Sequence, residues 1–358
     1  MRDMKAVVLC AGAGTRLRPL TFSRPKHLLP VAGRPLLGIA LDTIIAAGIK
    51  QIALVVGHQA EAVQGFVGDG SAWGAEVSYV TQEQPLGLGH AVNCAREYVG
   101  DCPFVVFLGD NLLEAGIGDF VASFRADEPE AALMVRPVDD PRQYGVAEIR
   151  ADGNVERVVE KPAEPKTNLA IVGVYAFNSS IFEAIDNIQP SARGEYEITD
   201  AIQWLVDSGR PVSTTVLEGF WEDTGAPDAL LRANRLYLDR QQHRIEGTIN
   251  GVSEANGMLQ IGTGTRVYDC RIIGPCFIGD NCVLHDAVIG PHVSLGDGCQ
   301  VRNSAIEDAI IQDSCRIEDL PAGLKRSVLG EQVVVIGDAQ GNSPLHLILG
   351  DMARIRVI

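Results

Sequence analysis

From Ile261 onward the chain repeats itself. The stretches "IGTGTRVYDCRIIGPCF" from Ile261, "IGDNCVLHDAVIGPHVS" from Ile278 and "LGDGCQVRNSAIEDAI" from Leu295 are copies of one pattern, and a degenerate fourth begins at Ile311 with "IQDSCRI". Within the copies an aliphatic residue returns about every six positions, as at Ile278, Leu284, Ile289, Leu295 and Val301. A short strand marked by one aliphatic cannot bury its own face, so three such strands per turn must stack on the next turn. This texture predicts a parallel β-helix. Thr265, Cys282, Cys299 and Cys315 occupy one position in the four copies, where a small side chain stacks inside the coil. The eight cysteines contain no C-x-x-C pair, so they are expected to be free thiols, neither zinc ligands nor a disulfide framework.

Ahead of the repeats the texture differs. Short apolar runs such as "QIALVV" (from Gln51), "EVSYV" (from Glu76) and "PFVVFL" (from Pro103) alternate with helix-period segments, the signature of βα units on a mostly parallel sheet. One helix is expected to open at Pro35, bury Leu37, Ala40, Leu41, Ile44 and Ile45 as one stripe, and end at Gly48. A second carries Ile198, Ile202, Leu205 and Val206 on one face, and a last runs from about Pro227 to Arg244. Two domains, 1–244 and 245–358, suit a chain of 358 residues, with the tail "LHLILGDMARIRVI" as a terminal pair of capping strands.

The first strand runs into "CAGAGTRLRPLT", where Gly12 and Gly14 are followed by Arg16 and Arg18. Ligands of an open parallel sheet gather beyond the carboxyl ends of its strands, so the amides of this loop are placed to meet an anion. The loop lacks the third glycine of a dinucleotide turn and the Gly-Lys-Ser/Thr of a P-loop. A net charge of −16 argues against a sequence-independent grip on nucleic acid. A phosphate-bearing ligand must then be held by a few local cations or by a metal. No apolar run reaches the length of a membrane span, which leads to an expected cytoplasmic location.

From Gly12 to Val31 the residues read G-x-G-T-R-L-x-P-x-T and then P-K-x-L-x-P-V. Further along come "YVTQEQPLGLGHAV", "FLGDN", "YGVAE", "VVEKP", "RGEYEITDAIQWL" and "WEDTG". In this order the motifs resemble those of the sugar-phosphate nucleotidyltransferases over the first two thirds of the chain, most strongly the long thymidylyltransferases. The resemblance implies a Rossmann-like α/β nucleotidyltransferase domain, followed by a coil similar to the left-handed β-helix of hexapeptide-repeat proteins. It implies Mg²⁺-dependent transfer of a nucleotidyl group from dTTP to glucose 1-phosphate. UTP, ATP or GTP and other sugar 1-phosphates remain open.

The residue types suit that chemistry. A sugar phosphate oxygen is already a nucleophile, so bringing two polyanions together and stabilising charge is the main task. The resemblance implies that Arg16, Lys26 and Asp110 carry catalysis. Ala11, Gly12, Gly14, Thr15, Arg16, Lys26, Gln82 and Gly87 would hold the nucleotide, with Gln82 and Gly87 at the base. Tyr144, Gly145, Glu160, Lys161, Val172 and Arg193 would hold the sugar phosphate, and Asp110 with Asp223 the metal. Two carboxylates with substrate oxygens are what Mg²⁺ favours. Ala11 stands where this family often has glycine. A second chemistry, acyl transfer by the β-helix with His285 or His292 as general base, is an open alternative. The apolar flank of a solenoid implies a homo-oligomer, with a trimer as one expected arrangement.

Overall fold

The computed structural model describes residues 3–337 and 343–357, so Ile358, the end of the expected cap, lies outside the described residues. Contacts divide the chain into two compact units, Met1–Ala13 with Leu37–Trp221 and Gly14–Leu36 with Glu222–Ile358. The sequence texture changes near residue 244, whereas the contacts group residues 14–36 and 222–244 with the repeats.

In the first unit, strand Lys5–Cys10 pairs in parallel with Gln51–Val56 on one side and Phe104–Leu108 on the other, so that Val8 lies between Leu54 and Phe107. Glu76–Thr81 adds a fourth parallel strand beside Gln51–Val56. Residues 6–10 and 52–56 are buried throughout, as expected where helices cover both faces of a parallel sheet. Beyond Phe104–Leu108 the direction reverses. Leu169–Phe177 runs antiparallel to it, followed by Ala131–Pro137 and the hairpin Gly145–Ile149 with Val155–Glu160. Because the four parallel strands end at one edge, Ala11, Gly57, Gln82 and Gly109 all leave the sheet there. The amides of Gln82 and Gly109 extend the ladder by one bond each, to Val56 O and Leu9 O.

The helix Leu36–Ala46 buries Leu37, Ala40, Leu41 and Ile44, and Gly48 ends it at φ 81°. Helix Ile198–Asp207 buries Ile198, Ile202 and Leu205. The last helix is shorter than expected. It spans Pro227–Leu238, and Arg244–Ile245 is already a strand, parallel to Gln260–Ile261. The linking residues are claimed by the coil: Gln241 Nε2 donates to Cys276 O at 2.7 Å, and Leu259 N donates to His243 Nδ1 at 3.3 Å.

The second unit is the parallel β-helix. One column of its register runs Ile261, Ile278, Leu295, Ile311, Leu329 and Leu349, so the sequence copies are true structural repeats. A first coil precedes them, because Arg244–Ile245, Thr248–Asn250 and Glu254–Asn256 pair with the strands of the copy at Ile261. The tail continues the coil with Ile348–Leu349 and Arg354–Arg356, both parallel to the turn before. Thr265, Cys282, Cys299 and Cys315 are buried in one column, where each side chain donates to a carbonyl of the next coil: Gly279, Gly296, Gln312 and Gly330. Outside that column a second ladder forms. The Oδ1 atoms of Asp280, Asp297, Asp313 and Asp351 accept the amides of Thr263, Asp280, Asp297 and Glu331.

The loop Gly14–Leu36 packs on this coil within the same unit. A Cβ on Gly33 would run into the Phe277 ring. Asn234, fully buried on helix Pro227–Leu238, accepts from Ala32 N at 2.8 Å and from Ser294 Oγ at 2.7 Å through one oxygen, and donates to His292 O at 3.4 Å. Farther along, Arg24 pairs with Glu331 at 2.5 Å, and Ser23 Oγ donates to Asp351 Oδ2 at 2.6 Å.

Candidate active site

In the first unit the loop at Ala11 and Gly12 lies against the end of the neighbouring strand. A Cβ on Gly57 would stand 2.9 Å from Ala11 O, so the two strand ends approach as closely as glycine allows. Gln82 leaves the adjacent strand with its side chain 7 % exposed. Its Nε2 donates to Gly87 O at 3.2 Å and lies 2.9 Å from His90 Nδ1. Gly87 has φ 103°, and a Cβ there would come within 2.9 Å of backbone and side-chain atoms of Glu195 and Tyr196. The amides of Gly89 and Tyr196 close this contact by donating to Tyr196 O and Leu86 O at 2.8 and 2.7 Å.

Asp110 follows strand Phe104–Leu108 and is 5 % exposed. Asn111 Nδ2 donates to its Oδ1 at 3.2 Å, while Asn111 Oδ1 accepts Trp221 Nε1 at 2.6 Å. Trp221 in turn meets the Tyr144 ring, with centroids 5.0 Å apart. Asp110 is thereby aimed through Asn111 by an indole that the sequence alone did not single out, although it sits in the "WEDTG" motif.

Four of the expected sugar-phosphate residues are gathered at the open end of the hairpin, away from its turn, and a fifth, Arg193, reaches them. Glu160 lies opposite Gly145, and Lys161 N donates to Tyr144 O at 3.0 Å. Glu160 is the hub: Lys161 Nζ lies 3.1 Å and Arg193 Nη2 3.3 Å from Oε1, and Thr199 Oγ1 donates to Oε2 at 3.3 Å. A Cβ on Gly145 would stand 2.9 Å from Thr199 Cγ2 and 3.3 Å from Glu160 Oε2, so a side chain there would crowd this pair. Arg193 is held more strongly by Glu197, which is nearly buried, at 2.8 Å. Burial opposes the guanidinium's charge, but the carboxylates of Glu197, Glu160 and Glu195 outweigh it and raise its pKa. Burial, reinforced by Glu197 and Glu160, raises the carboxyl of Asp200. Glu197 and Thr199 were not among the expected residues; the i,i+4 spacing of Arg193 and Glu197 in "RGEYEIT" is a signal for the first, whereas Thr199 meets Glu160 only through the fold. Val172 is buried in strand Leu169–Phe177, and the registers with the neighbouring strands pass over it and Gly173, leaving its backbone outside the ladders.

In the second unit, Gly14 takes φ 60°, and the turn Thr15–Leu17 follows. Thr21 Oγ1 donates back to Gly14 O at 2.8 Å. A Cβ on Gly14 would sit 3.2 Å from Cβ of Lys26, so a glycine of the first half of the motif and the lysine of the second lie side by side. The Arg16 side chain is two-thirds exposed, with Nη2 3.7 Å from Asp223 Oδ2, while Asp223 Oδ1 accepts Gly225 N at 3.1 Å. Among the described residues no cluster of three or more His, Cys, Asp or Glu side chains is arranged to hold a metal.

The two histidines weighed for acyl transfer lie on the coil surface. His285 Nδ1 is 2.8 Å from Asp286 and His292 Nε2 3.0 Å from Asp239. Among the described residues no helix is long and apolar enough to cross a membrane.

Residues 5–240 match the nucleotidyl transferase family. The chain is 42 % identical over 354 residues, 99 % of both chains, to a glucose-1-phosphate thymidylyltransferase of Streptomyces griseus. It is equally similar, at 42 % over 358 residues and 99 % of both chains, to one from Streptomyces antibioticus. A crystal structure from Bacillus anthracis, named for glucose-1-phosphate thymidylyltransferase and solved with sucrose, superposes with TM-score 0.63 at 34 % identity, covering 68 % of this chain and 98 % of that one.

Proposed function

This chain belongs to the nucleotidyl transferase family, and we propose that within it the protein transfers the thymidylyl group of dTTP to glucose 1-phosphate, releasing pyrophosphate and forming dTDP-glucose. The observation that carries this reading is the cluster at Glu160: a carboxylate able to accept sugar hydroxyls, flanked at 3.1 and 3.3 Å by two cations suited to a phosphate. Full-length similarity to two thymidylyltransferases supports the choice of nucleotide.

In this reading a phosphate oxygen of the sugar attacks the α-phosphorus, a new P–O bond forms, and the bond to pyrophosphate breaks. The oxygen is ionised at neutral pH, so no side chain has to remove a proton. Lys161 and Arg193 hold the sugar phosphate. Arg193 must exchange part of its carboxylate contacts for the incoming phosphate, which gives preference to a dianionic ligand over a neutral sugar. Lys26 draws the α-phosphate into line, and Arg16 offsets charge on the departing pyrophosphate. Asp110 and Asp223 each offer carboxylate oxygens of the kind Mg²⁺ takes, with waters and substrate phosphate oxygens supplying the remaining ligands. When bound, the ion screens the phosphate charges. A cytoplasmic location and a homo-oligomer built through the coil complete the proposal; light scattering tests the latter.

The test is pyrophosphate release across dTTP, UTP, ATP and GTP with several sugar 1-phosphates, with Mg²⁺ and after chelation. Turnover with dTTP and glucose 1-phosphate that is lost on chelation and in Asp110→Ala is expected. Absence of turnover with every sugar 1-phosphate overturns the proposal.

A further inference from the structure

The Gln82 amide has its orientation dictated by its surroundings. Gly87 O accepts and cannot donate, so the Gln82 atom 3.2 Å from it must be the nitrogen. The same nitrogen lies 2.9 Å from His90 Nδ1. Its two hydrogens are then both directed into the protein, one to a carbonyl and one to an imidazole nitrogen, and this requires that Nδ1 carry the lone pair and Nε2 the ring proton. What remains for a ligand is Gln82 Oε1, which only accepts.

We infer that His90 is a positioning residue for the base site: by accepting from Gln82 Nε2 it keeps Oε1 turned to the ligand, and the site thereby selects a pyrimidine whose N3 carries a hydrogen over one whose N3 is an acceptor. The inference rests on Gln82 as the base contact in the proposed function. The glycine carbonyl alone engages one hydrogen of the amide. With a donor at Nδ1, the same amide is pulled toward the opposite rotamer, which sets Oε1 against Gly87 O and offers N–H to the ligand. The imidazole decides between the two. A thymine or uracil presents N3–H and is accepted. A cytosine presents a lone pair at N3 and meets the lone pairs of Oε1, so it loses a bond and leaves a nearly buried acceptor unpaired. His90 also lines a cavity of about 370 Å³ with Leu86, Asn93, Ile185 and Tyr196, so other side chains of its size can be accommodated there.

The experiment compares kcat/KM for dTTP and dCTP in the full-length enzyme. For wild type a large ratio in favour of dTTP is expected. His90→Leu, which cannot accept, should lower that ratio at least tenfold, and His90→Asn, whose side-chain oxygen can replace Nδ1 as acceptor, should restore most of it. A histidine with only a packing role would lower both nucleotides together and leave the ratio unchanged, which overturns the inference. Gln82→Leu separates the two readings. If it leaves the ratio intact, Gln82 does not touch the base and the underlying assignment fails. If it collapses the ratio while His90→Leu does not, only the role of His90 fails. Should His90→Leu not fold, the ¹⁵N shifts of the His90 ring in wild type, assigned by their absence in His90→Asn, decide the matter. A protonated Nε2 with a free Nδ1 is expected, and a protonated Nδ1 overturns the inference.

Discussion

Replacing Asn234 with alanine tests whether the loop Gly14–Leu36, proposed to bind phosphate, depends on the β-helix. The wild-type side chain is fully buried and makes three hydrogen bonds, to Ala32 N, Ser294 Oγ and His292 O. The two short ones contribute about 1 kcal/mol each, and the 3.4 Å bond less. Truncation also leaves the Ala32 amide and the Ser294 hydroxyl facing a cavity, at about 1 kcal/mol or more for each buried donor without a partner. The sum is roughly 4–5 kcal/mol. For a unit of this size, about 2–4 °C of melting temperature accompanies each kcal/mol, so the transition of the second unit should fall by roughly 8–20 °C in calorimetry. Because Ala32 belongs to the loop bearing Arg16 and Lys26, kcat should fall as well, at temperatures where the variant is still folded. Asn234→Asp keeps the shared oxygen but loses the donor, and should lie between the two. A shift of less than about 2 °C with unchanged kcat would refute the claim that this amide ties loop, helix and coil together.

Gly87→Ala should raise KM for the nucleotide at least tenfold and leave that for the sugar phosphate within twofold, since φ 103° disfavours any Cβ and the obstructing atoms include backbone; equal changes in both constants would count against it. Lys161→Ala removes one charge-assisted contact, on the order of 3 kcal/mol or about a hundredfold in kcat/KM for glucose 1-phosphate, and steady-state kinetics showing a loss confined to dTTP would reverse the assignment. Asp313 has its carboxyl raised by burial, with Asp297 and Glu331 adding to the effect. Its folded form binds a proton more tightly than the unfolded chain, so its contribution favours folding at low pH and is lost as pH rises through the raised value. Asp313→Asn keeps the acceptor for Asp297 N and removes the charge. The variant should therefore melt at or above wild type near pH 8, with the difference narrowing toward acid; a lower melting point at pH 8 refutes it.

Much of the fold is written locally. The stripe Leu37, Ala40, Leu41 and Ile44 declares a helix because its period is that of the helix itself, and the column Ile261, Ile278, Leu295 is audible as a repeat because stacking demands like residues at like places. The first coil, from Arg244 to Asn256, escaped notice because it has few aliphatics to mark it: Ile249 and Ala255 stand where later coils have Val267 and Ile272. The early end of the helix at Leu238 follows from the same cause, since bonds made by Gln241 and His243 to distant carbonyl and amide groups outweigh local propensity. In the site, residues that belong to a motif were readable. Their supports were less so. Glu197 grips Arg193, Trp221 steadies Asn111, and His90 orients Gln82, each through a partner whose chemistry becomes evident only when distances are known.

The seat of Gly33 on Phe277 bears on how the molecule can be taken apart. Ending the chain near residue 244 looks natural from the texture of the sequence, yet it removes the aromatic floor under the Ala32–Gly33 turn and the acidic groups of Glu331 and Asp351 that grip Arg24 and Ser23. The stub left behind would retain every motif residue and still have a loose loop at Gly14–Leu36. Modular as they look on paper, the two halves of this protein are not interchangeable parts: a solenoid grafted from another enzyme would need an aromatic at the position of Phe277 and acids at those of Glu331 and Asp351 before the borrowed loop was held as it is here.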